Sequence, residues 1–225
     1  MAEYLAGLDI GTTGVKFMIT DTGGNIVALT YREYPCVFPY PGGVEQDVDV
    51  VWDKVCEVTR EGFSKFNIDP GSVKSLGISS QRGTFIPVDQ DIRPLMNSIV
   101  WSDGRADGYV KWLEDAMGAN TYHRISGVPA SGLWTYLKMK WFVDNRKHQF
   151  DRTYKFLNGQ EYFLHKLGAG ELKTDPASLT LNGMLAIDKL DWSEELCRHI
   201  GLPMDKLPQV STPARQVGVI SKKAA

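Results

Sequence analysis

A glycine- and threonine-rich loop at residues 9–16, Asp-Ile-Gly-Thr-Thr-Gly-Val-Lys, is the part of the sequence best suited to chemistry. Gly11 and Gly14 let the backbone approach a bound anion closely, because neither has a Cβ atom. Successive amides in such a turn form an anion-binding concavity, and Thr12 and Thr13 add hydroxyl donors. The loop predicts a phosphate site, and the alternative is a glycine-rich hairpin that binds no ligand.

Two charged residues flank this loop. Asp9 ends the preceding segment and suits Mg²⁺, which takes one or two carboxylates together with waters and phosphate oxygens. Lys16 supplies a positive charge that can reach a terminal phosphate. The glycine spacing matches neither G-x-x-x-x-G-K-[ST] nor G-x-G-x-x-G, so neither of those nucleotide motifs applies. The prediction is therefore a magnesium and phosphate site of another type.

The loop must be positioned by strands. Residues 5–10 are mostly apolar, and residues 15–19 alternate apolar and polar side chains with the period of a strand. Residues 21–25, Asp-Thr-Gly-Gly-Asn, are a strong turn signal. Residues 25–34 then form the returning strand. The chain should begin with a three-stranded antiparallel meander, with the loop between its first two strands.

Helices and two further strands follow. Apolar spacing over residues 48–66 predicts an amphipathic helix, with Asp47 or Asp49 as its cap. Residues 73–79 predict a strand buried on both faces with a parallel neighbour, and residues 84–88 predict another strand. Beyond residue 103 the pattern is mainly helical, with segments at residues 106–117, 133–141, 161–167 and 194–200. This order predicts an α/β domain with a mixed sheet and a helical insertion.

Composition limits the classes of protein that remain. The chain has 225 residues, 43% of them hydrophobic, and a formal charge of −2 from 25 basic and 27 acidic residues. This balance gives no basis for nucleic-acid binding, and no apolar run approaches the ~20 residues that span a bilayer. No signal peptide is expected at the N-terminus. Three cysteines without a C-x-x-C pair predict reduced thiols in a cytoplasmic protein: Cys36, Cys56 and Cys197.

Several segments resemble known proteins. The Asp-Ile-Gly-Thr-Thr loop is similar to the first phosphate loop of the actin-like ATPase superfamily, which includes actin, heat-shock chaperones, hexokinases and FGGY carbohydrate kinases. Four segments resemble FGGY kinases in particular: residues 41–47 followed by Trp52, residues 77–83, residues 99–105 with a W-x-D-x-R pattern, and residues 138–141 with the sequence Lys-Met-Lys-Trp. The resemblance covers nearly the whole chain in the expected order, and it implies ATP and Mg²⁺ as cofactors.

The resemblance implies a sugar or polyol site at the ends of two segments. Gln81 and Arg82 would donate hydrogen bonds to hydroxyl groups, Asp103 would accept them, and Trp101 would cover the carbon skeleton. Residues 73–79 should run beside the strand of Asp9, so that both strand ends open on the same edge. The alternatives are a surface salt bridge for Arg82 and core packing for Trp101.

The resemblance also implies what lies outside the chain. In FGGY kinases the aspartate that accepts the proton of the attacking hydroxyl sits in a G-x-D motif of a second domain, with the adenine-binding residues. Both are expected after residue 225, so this chain by itself is expected to be inactive. Some glycerol kinases have a tyrosine where this sequence has Leu133, which disfavours glycerol as the substrate.

The resemblance implies a ribonuclease H-like fold with a mixed five-stranded sheet flanked by helices. Residues 1–225 would form one kinase N-terminal domain with a helical insertion at about residues 103–200. The resemblance implies a full-length kinase, with a homodimer as one oligomeric state, that phosphorylates xylulose, ribulose, gluconate or a polyol. Two alternatives stay open. A chaperone or polymerising ATPase would share the phosphate loop but not need the sugar residues, and a non-catalytic sugar-binding module would bind sugar without a second domain.

Overall fold

The computed structural model describes residues 2–222 and 224. The chain forms two compact units. Unit 1 contains the residues up to Cys36 together with Gln46–Gln81, and unit 2 contains Val37–Glu45 together with the residues from Arg82 onward. Among the described residues, no helix has the length and apolar character needed to cross a bilayer.

The elements alternate along the chain. The strands are β1 (Tyr4–Ile10), β2 (Gly14–Asp21), β3 (Ile26–Glu33), β4 (Glu45–Gln46), β5 (Val73–Ser80), β6 (Phe85–Val88), β7 (Ser98–Ile99), β8 (Lys155–Asn158), β9 (Lys173–Thr174), β10 (Leu185–Ala186), β11 (Asp191–Trp192) and β12 (Gln209–Val210). The α-helices are α1 (Val48–Lys65), α2 (Val110–Ala116), α3 (Ala119–Ser126), α4 (Thr135–Asn145), α5 (Lys147–Arg152), α6 (Gly159–Leu167), α7 (Pro176–Leu179) and α8 (Glu194–His199). Short 3-10 helices lie at Pro70–Ser72, Asp107–Tyr109 and Met204–Lys206.

Unit 1 is built on a mixed sheet with the strand order β3-β2-β1-β5. The predicted meander is confirmed, because β1 pairs antiparallel with β2 and β2 antiparallel with β3. The turn after β2 closes through the Asp21 side chain, which accepts a hydrogen bond from the Asn25 amide at 2.9 Å. The parallel neighbour predicted for residues 73–79 is also confirmed, since β5 pairs parallel with β1.

Two expectations about the predicted sheet are wrong: the number of its strands and the burial of residues 73–79. Among the described residues this sheet has four strands where five were expected. The strand predicted at residues 84–88 forms as β6, which belongs to a separate sheet of order β4-β7-β6-β8 and pairs antiparallel with β8. All four residues of β6 are buried. The strand β5 was expected to be buried on both faces, yet each of its residues is half-buried or exposed, and the strand lies at the edge of the sheet.

Helix α1 covers one face of the unit 1 sheet. Of the two candidate caps, Asp47 is the N-cap, and its side chain accepts from the Asp49 and Val50 amides. Gly62 lies against the Phe17 ring, where a Cβ atom would come within 2.6 Å of the ring carbon. The buried positions of α1 follow the predicted helical spacing: Val48, Val51, Val55, Val58 and Gly62.

Unit 2 contains most of the helices and the larger apolar core. Three aromatic rings at its centre, Phe85, Phe142 and Phe156, pack edge to face with centroid distances of 5.3–6.0 Å. Helices lie in all four predicted helical segments, as α2, α4, α6 and α8. The α/β class with a mixed sheet is confirmed, and residues 103–200 contain short strands and β8 as well as helices.

Candidate functional site

Asp9 and Lys16 face the same side of the unit 1 sheet. They are direct partners across β1 and β2, and partners in an antiparallel pair present their side chains on one face. Both residues are exposed. The flanking residues of the two strands are buried on the opposite face: Leu8, Ile10, Val15 and Phe17. An acidic and a basic residue therefore occupy paired positions on this face, next to the loop that joins the strands, and the Lys16 ammonium lies 6.0 Å from the centre of the Tyr31 ring.

The carbonyl groups of this loop accept hydrogen bonds from Tyr34 and Gln46. The Tyr34 hydroxyl donates to the Gly11 carbonyl, and the Tyr34 amide donates to the Thr13 carbonyl at 3.3 Å. The Gln46 side-chain amide donates to the Thr12 carbonyl between them, at 2.6 Å. Burial raises the pKa of Tyr34, so its hydroxyl remains protonated and available as a donor. Three successive carbonyl oxygens are thus held by unit 1.

The two glycines of the loop serve different structural roles. The Gly11 amide donates to the Gly14 carbonyl at 3.0 Å and closes the turn. A Cβ atom on Gly14 would lie 2.5 Å from the Arg32 carbonyl and 2.6 Å from the Tyr31 hydroxyl, so β3 requires glycine there. Thr13 is exposed, and within residues 2–222 and 224 its hydroxyl donates to no protein atom.

Gln81 lies where β5 ends, beside the end of β1. Ile10 and Ser80 are partners in the parallel register, and the Gln81 amide donates to the Ile10 carbonyl at 2.9 Å. The Gln81 side-chain amide donates to the Gln46 side-chain oxygen at 2.6 Å. The predicted alignment of the two strand ends is confirmed.

Arg82 begins unit 2 and is exposed. Its guanidinium has only two long hydrogen bonds within the described part of the chain, both 3.4 Å, to the Ala177 carbonyl and the Thr180 hydroxyl. Neither partner is a carboxylate, so the surface salt bridge considered as the alternative does not form among these residues. Next to it, Gly83 has a φ of 72°, and its carbonyl accepts from the Thr135 hydroxyl at 3.0 Å.

Trp101 presents an exposed ring from a firmly held backbone. The residue is 41% exposed, which is not compatible with a purely core role. The Trp101 amide donates to the Thr84 hydroxyl at 3.1 Å, and its carbonyl accepts from the Lys138 ammonium. Lys138 also donates to the Leu133 carbonyl at 2.7 Å. Lys138 therefore anchors two residues whose apolar side chains are exposed.

Lys138 is fully buried and bonded to carbonyl groups. Burial is the main reason that its pKa falls from 10.5 to about 8, although Asp103 and Asp107 act in the opposite direction. A neutral amine keeps two N–H donors, so both carbonyl contacts survive deprotonation.

Asp103 is completely buried. One of its oxygens accepts from the Val44 amide at 2.6 Å, and the other accepts from the backbone amide of Arg105 and from its side chain. The Arg105 guanidinium also donates to Glu45 at 2.7 Å and lies 4.7 Å from the centre of the Trp141 ring. Asp103 thus joins the loop before α1 to the W-x-D-x-R segment.

Comparison with known proteins identifies the family. Residues 4–225 match the model described as the FGGY family of carbohydrate kinases, N-terminal domain. The chain belongs to this family. The expected actin-like ATPase fold is confirmed by two solved structures from Lactobacillus acidophilus. Its gluconate kinase superimposes with a TM-score of 0.92 at 27% identity over 100% of this chain, and its ligand-bound xylulose kinase does so with the same score and identity over 99%.

Curated relatives give the same family. The glycerol kinase of Saccharopolyspora erythraea is 30% identical over 97% of this chain. The chain spans 45% of that relative and 45% of the gluconate kinase, less than half of each. Membership of this family removes the chaperone and polymerising ATPase alternative, while a non-catalytic sugar-binding module stays open.

The FGGY domain also uses residues that the sequence reasoning did not single out. Tyr34 and Gln46 hold the loop, and Lys138 and Arg105 hold the segment of Trp101 and Asp103, yet none was predicted as a site residue. Gln46, Arg105 and Lys138 fell inside segments that resemble the family, and Arg105 is the arginine of the W-x-D-x-R pattern. That resemblance was the only signal in the sequence, because residues 12, 46 and 81 are too far apart for any local spacing pattern to link them.

Proposed function

We propose that this FGGY domain binds the phosphates of ATP and a small sugar or polyol in a kinase that transfers the γ-phosphate to a primary hydroxyl. The observation that carries the proposal is the loop of residues 11–13, whose three carbonyls are tied back by Tyr34 and Gln46. Carbonyl oxygens repel phosphate. Because Tyr34 and Gln46 donate hydrogen bonds to these oxygens, the loop is free to present its N–H groups and hydroxyls to an anion.

The phosphate end of this proposal consists of residues in unit 1. Thr12, Thr13 and Gly14 would donate to the β- and γ-phosphates, and Gly11 would shape the turn. Lys16 would add its positive charge on the face where Asp9 lies. In phosphoryl transfer the protein acts mainly by positioning groups and stabilising charge.

The donor set fits Mg²⁺. Asp9 is an exposed carboxylate beside the loop, and Mg²⁺ is commonly held by one or two carboxylates with phosphate oxygens and waters. Within the described residues there is no cluster of three or more metal-ligating side chains, so Asp9 would hold the ion together with phosphate oxygens and waters. When bound, the ion would neutralise phosphate charge.

The sugar end would use Gln81, Arg82 and Trp101. Arg82 is exposed and weakly engaged within the protein, so its guanidinium can donate to two hydroxyls. The Trp101 ring offers an apolar face. Asp103 has no exposed surface, so we propose that it positions the Trp101 segment and does not contact the sugar itself.

The substrate class follows from the relatives and from Leu133. The matched kinases are named for gluconate, xylulose and glycerol. Leu133 is 47% exposed, and its carbonyl accepts from Lys138, the residue that also holds Trp101. The resemblance aligns Leu133 with a tyrosine that some glycerol kinases have. We therefore favour xylulose, ribulose, gluconate or a larger polyol over glycerol.

Three free thiols also support a reducing, cytoplasmic location.

The test is calorimetric titration of the chain with xylulose, ribulose, gluconate and glycerol, using Arg82→Ala and the matched variant Arg93→Ala. Arg93 is exposed and pairs with a neighbouring surface aspartate. Loss of hydrogen bonds from a charged group costs ~1.5–3 kcal/mol, so Arg82→Ala should weaken sugar binding by about 10- to 150-fold.

Arg93→Ala should leave the affinity unchanged. Equal affinity for the sugar in the wild type and Arg82→Ala would contradict the assignment of the sugar end. Sugar binding by a chain that never responds to Mg·ATP, alone or joined to a kinase C-terminal domain, would instead favour the non-catalytic module.

A further inference from the structure

Gln46 is a buried side chain that connects two parts of unit 1. It is 1% exposed. Its amide nitrogen donates to the Thr12 carbonyl at 2.6 Å, and its oxygen accepts from the Gln81 amide nitrogen at 2.6 Å. The backbone at this position is fixed as well, because the next residue, Asp47, is the N-cap of α1.

The direction of these hydrogen bonds is determined by chemistry. The Thr12 carbonyl can only accept, so Gln46 must turn its NH₂ group toward the loop. The Gln46 oxygen must then face Gln81, and Gln81 must present its NH₂ group in return. Reversal of the Gln46 amide would place two acceptors together at Thr12 and two donors together at Gln81, and reversal of the Gln81 amide would place two acceptors together at Gln46.

We infer that Gln46 is a positioning residue that couples the phosphate loop to Gln81. Movement of the Thr12 carbonyl is transmitted through one buried amide to the side chain that lies at the end of β5. This inference rests on the proposed function for its two ligands, phosphate at the loop and sugar at Gln81. Occupancy of one end should then alter the other end, since a coupling between two sites is reciprocal.

The first experiment needs no ligand. Amide hydrogen exchange of residues 11–14 is measured by NMR for the wild type, Gln46→Met, Gln46→Glu and the matched control Gln90→Met. Methionine keeps the length of glutamine but removes both contacts, and Gln90 is an exposed residue of unit 2. The protection of the loop amides should fall by about tenfold in Gln46→Met and stay unchanged in Gln90→Met.

Gln46→Glu separates positioning from packing. At pH 7.5 a carboxylate can accept from Gln81 but cannot donate to Thr12, so loop protection should be lost while the Gln81 contact persists. Burial raises the pKa of a carboxyl, so at pH 5 the protonated acid should donate to the Thr12 carbonyl and restore protection. Gln46→Met, measured at both pH values, is the control for effects of pH elsewhere in the chain.

The second experiment adds ligands. In the wild type, inorganic tripolyphosphate with Mg²⁺ should shift the resonances of Gln81, and xylulose, ribulose or gluconate, each added in turn, should shift those of residues 11–14 where it binds. In Gln46→Met each ligand should shift only its own end. Loop protection that is the same in all variants, or cross-effects that persist in Gln46→Met, would overturn the inference. Loss of protection in Gln46→Met without binding of either ligand to the wild type would uphold the positioning role and count against the proposed function.

Discussion

Asp9 and Lys16 are direct cross-strand partners of β1 and β2, and their side chains share the face of the sheet opposite α1. The register therefore places an acidic and a basic residue on the same exposed face beside the loop. The exposed position of the carboxylate suits a group that would meet Mg²⁺ and phosphate oxygens.

Substitution of Asp9 tests the phosphate end. In a full-length kinase that contains this domain, Asp9→Asn should lower kcat by at least about 100-fold and leave the sugar affinity almost unchanged, because a neutral amide is a poor Mg²⁺ ligand. Steady-state kinetics at saturating Mg²⁺ measure both quantities. Asp53→Asn, on the exposed side of α1, is the control. An unchanged kcat would assign Asp9 a structural role.

The isolated 225-residue chain should not phosphorylate any sugar at a measurable rate. The resemblance implies that the general base and the adenine-binding residues belong to a second domain, and general-base catalysis alone is worth ~10²–10⁴-fold. A coupled assay for ADP with the purified chain, checked for contaminating kinase, tests this expectation. Turnover that co-purifies with the chain and is abolished by Asp9→Asn would show that the catalytic residues are all present.

Glycine at position 14 should be essential for the stability of the loop. A Cβ atom there would lie 2.5 Å from the Arg32 carbonyl, which belongs to the backbone of β3 and cannot move aside easily. Gly14→Ala should therefore lower the free energy of unfolding by ~1–3 kcal/mol. Gly77→Ala in β5 is the matched change, because its added Cβ atom meets nothing within 4 Å. Urea unfolding measures the stability of both variants, and equal free energies of unfolding would contradict the need for glycine at position 14.

The buried lysine predicts a pH-dependent contribution to stability. The pKa of Lys138 is about 8 in the folded chain and 10.5 in the unfolded chain, so the unfolded state binds more protons between these values. Stability must then rise with pH through this window, and the cost of burying the charge is fully present below pH 8. A pKa that differs by 1 between the folded and unfolded states corresponds to ~1.4 kcal/mol of stability.

Lys138→Met lacks this titration. The difference in the free energy of unfolding between the wild type and Lys138→Met should therefore move in favour of the wild type as the pH rises from 8 to 10. Denaturant unfolding at several pH values measures the difference, and Lys111→Met, at an exposed lysine, is the control. A difference that stays constant with pH would mean that Lys138 has the same pKa in both states.

Local pattern and resemblance were enough to predict much of this protein. The meander, helix α1 with Asp47 as one of its two candidate caps, and the loop between β1 and β2 depend on side-chain periodicity and turn chemistry, which act between residues close in sequence. The order of the motifs along the chain was enough to predict the family, which the match over residues 4–225 confirms. The roles of the predicted phosphate and sugar residues stay predictions.

Long-range pairing decided what the sequence could not. Residues 84–88 became a strand of a second sheet because partners about 70 residues away bury all four of them. The buried side chains Gln46, Asp103 and Lys138 bind backbone groups that are distant in sequence: the carbonyls of Thr12 and Trp101 and the amide of Val44. A buried polar group must find a partner, and only the folded chain decides which partner lies within reach.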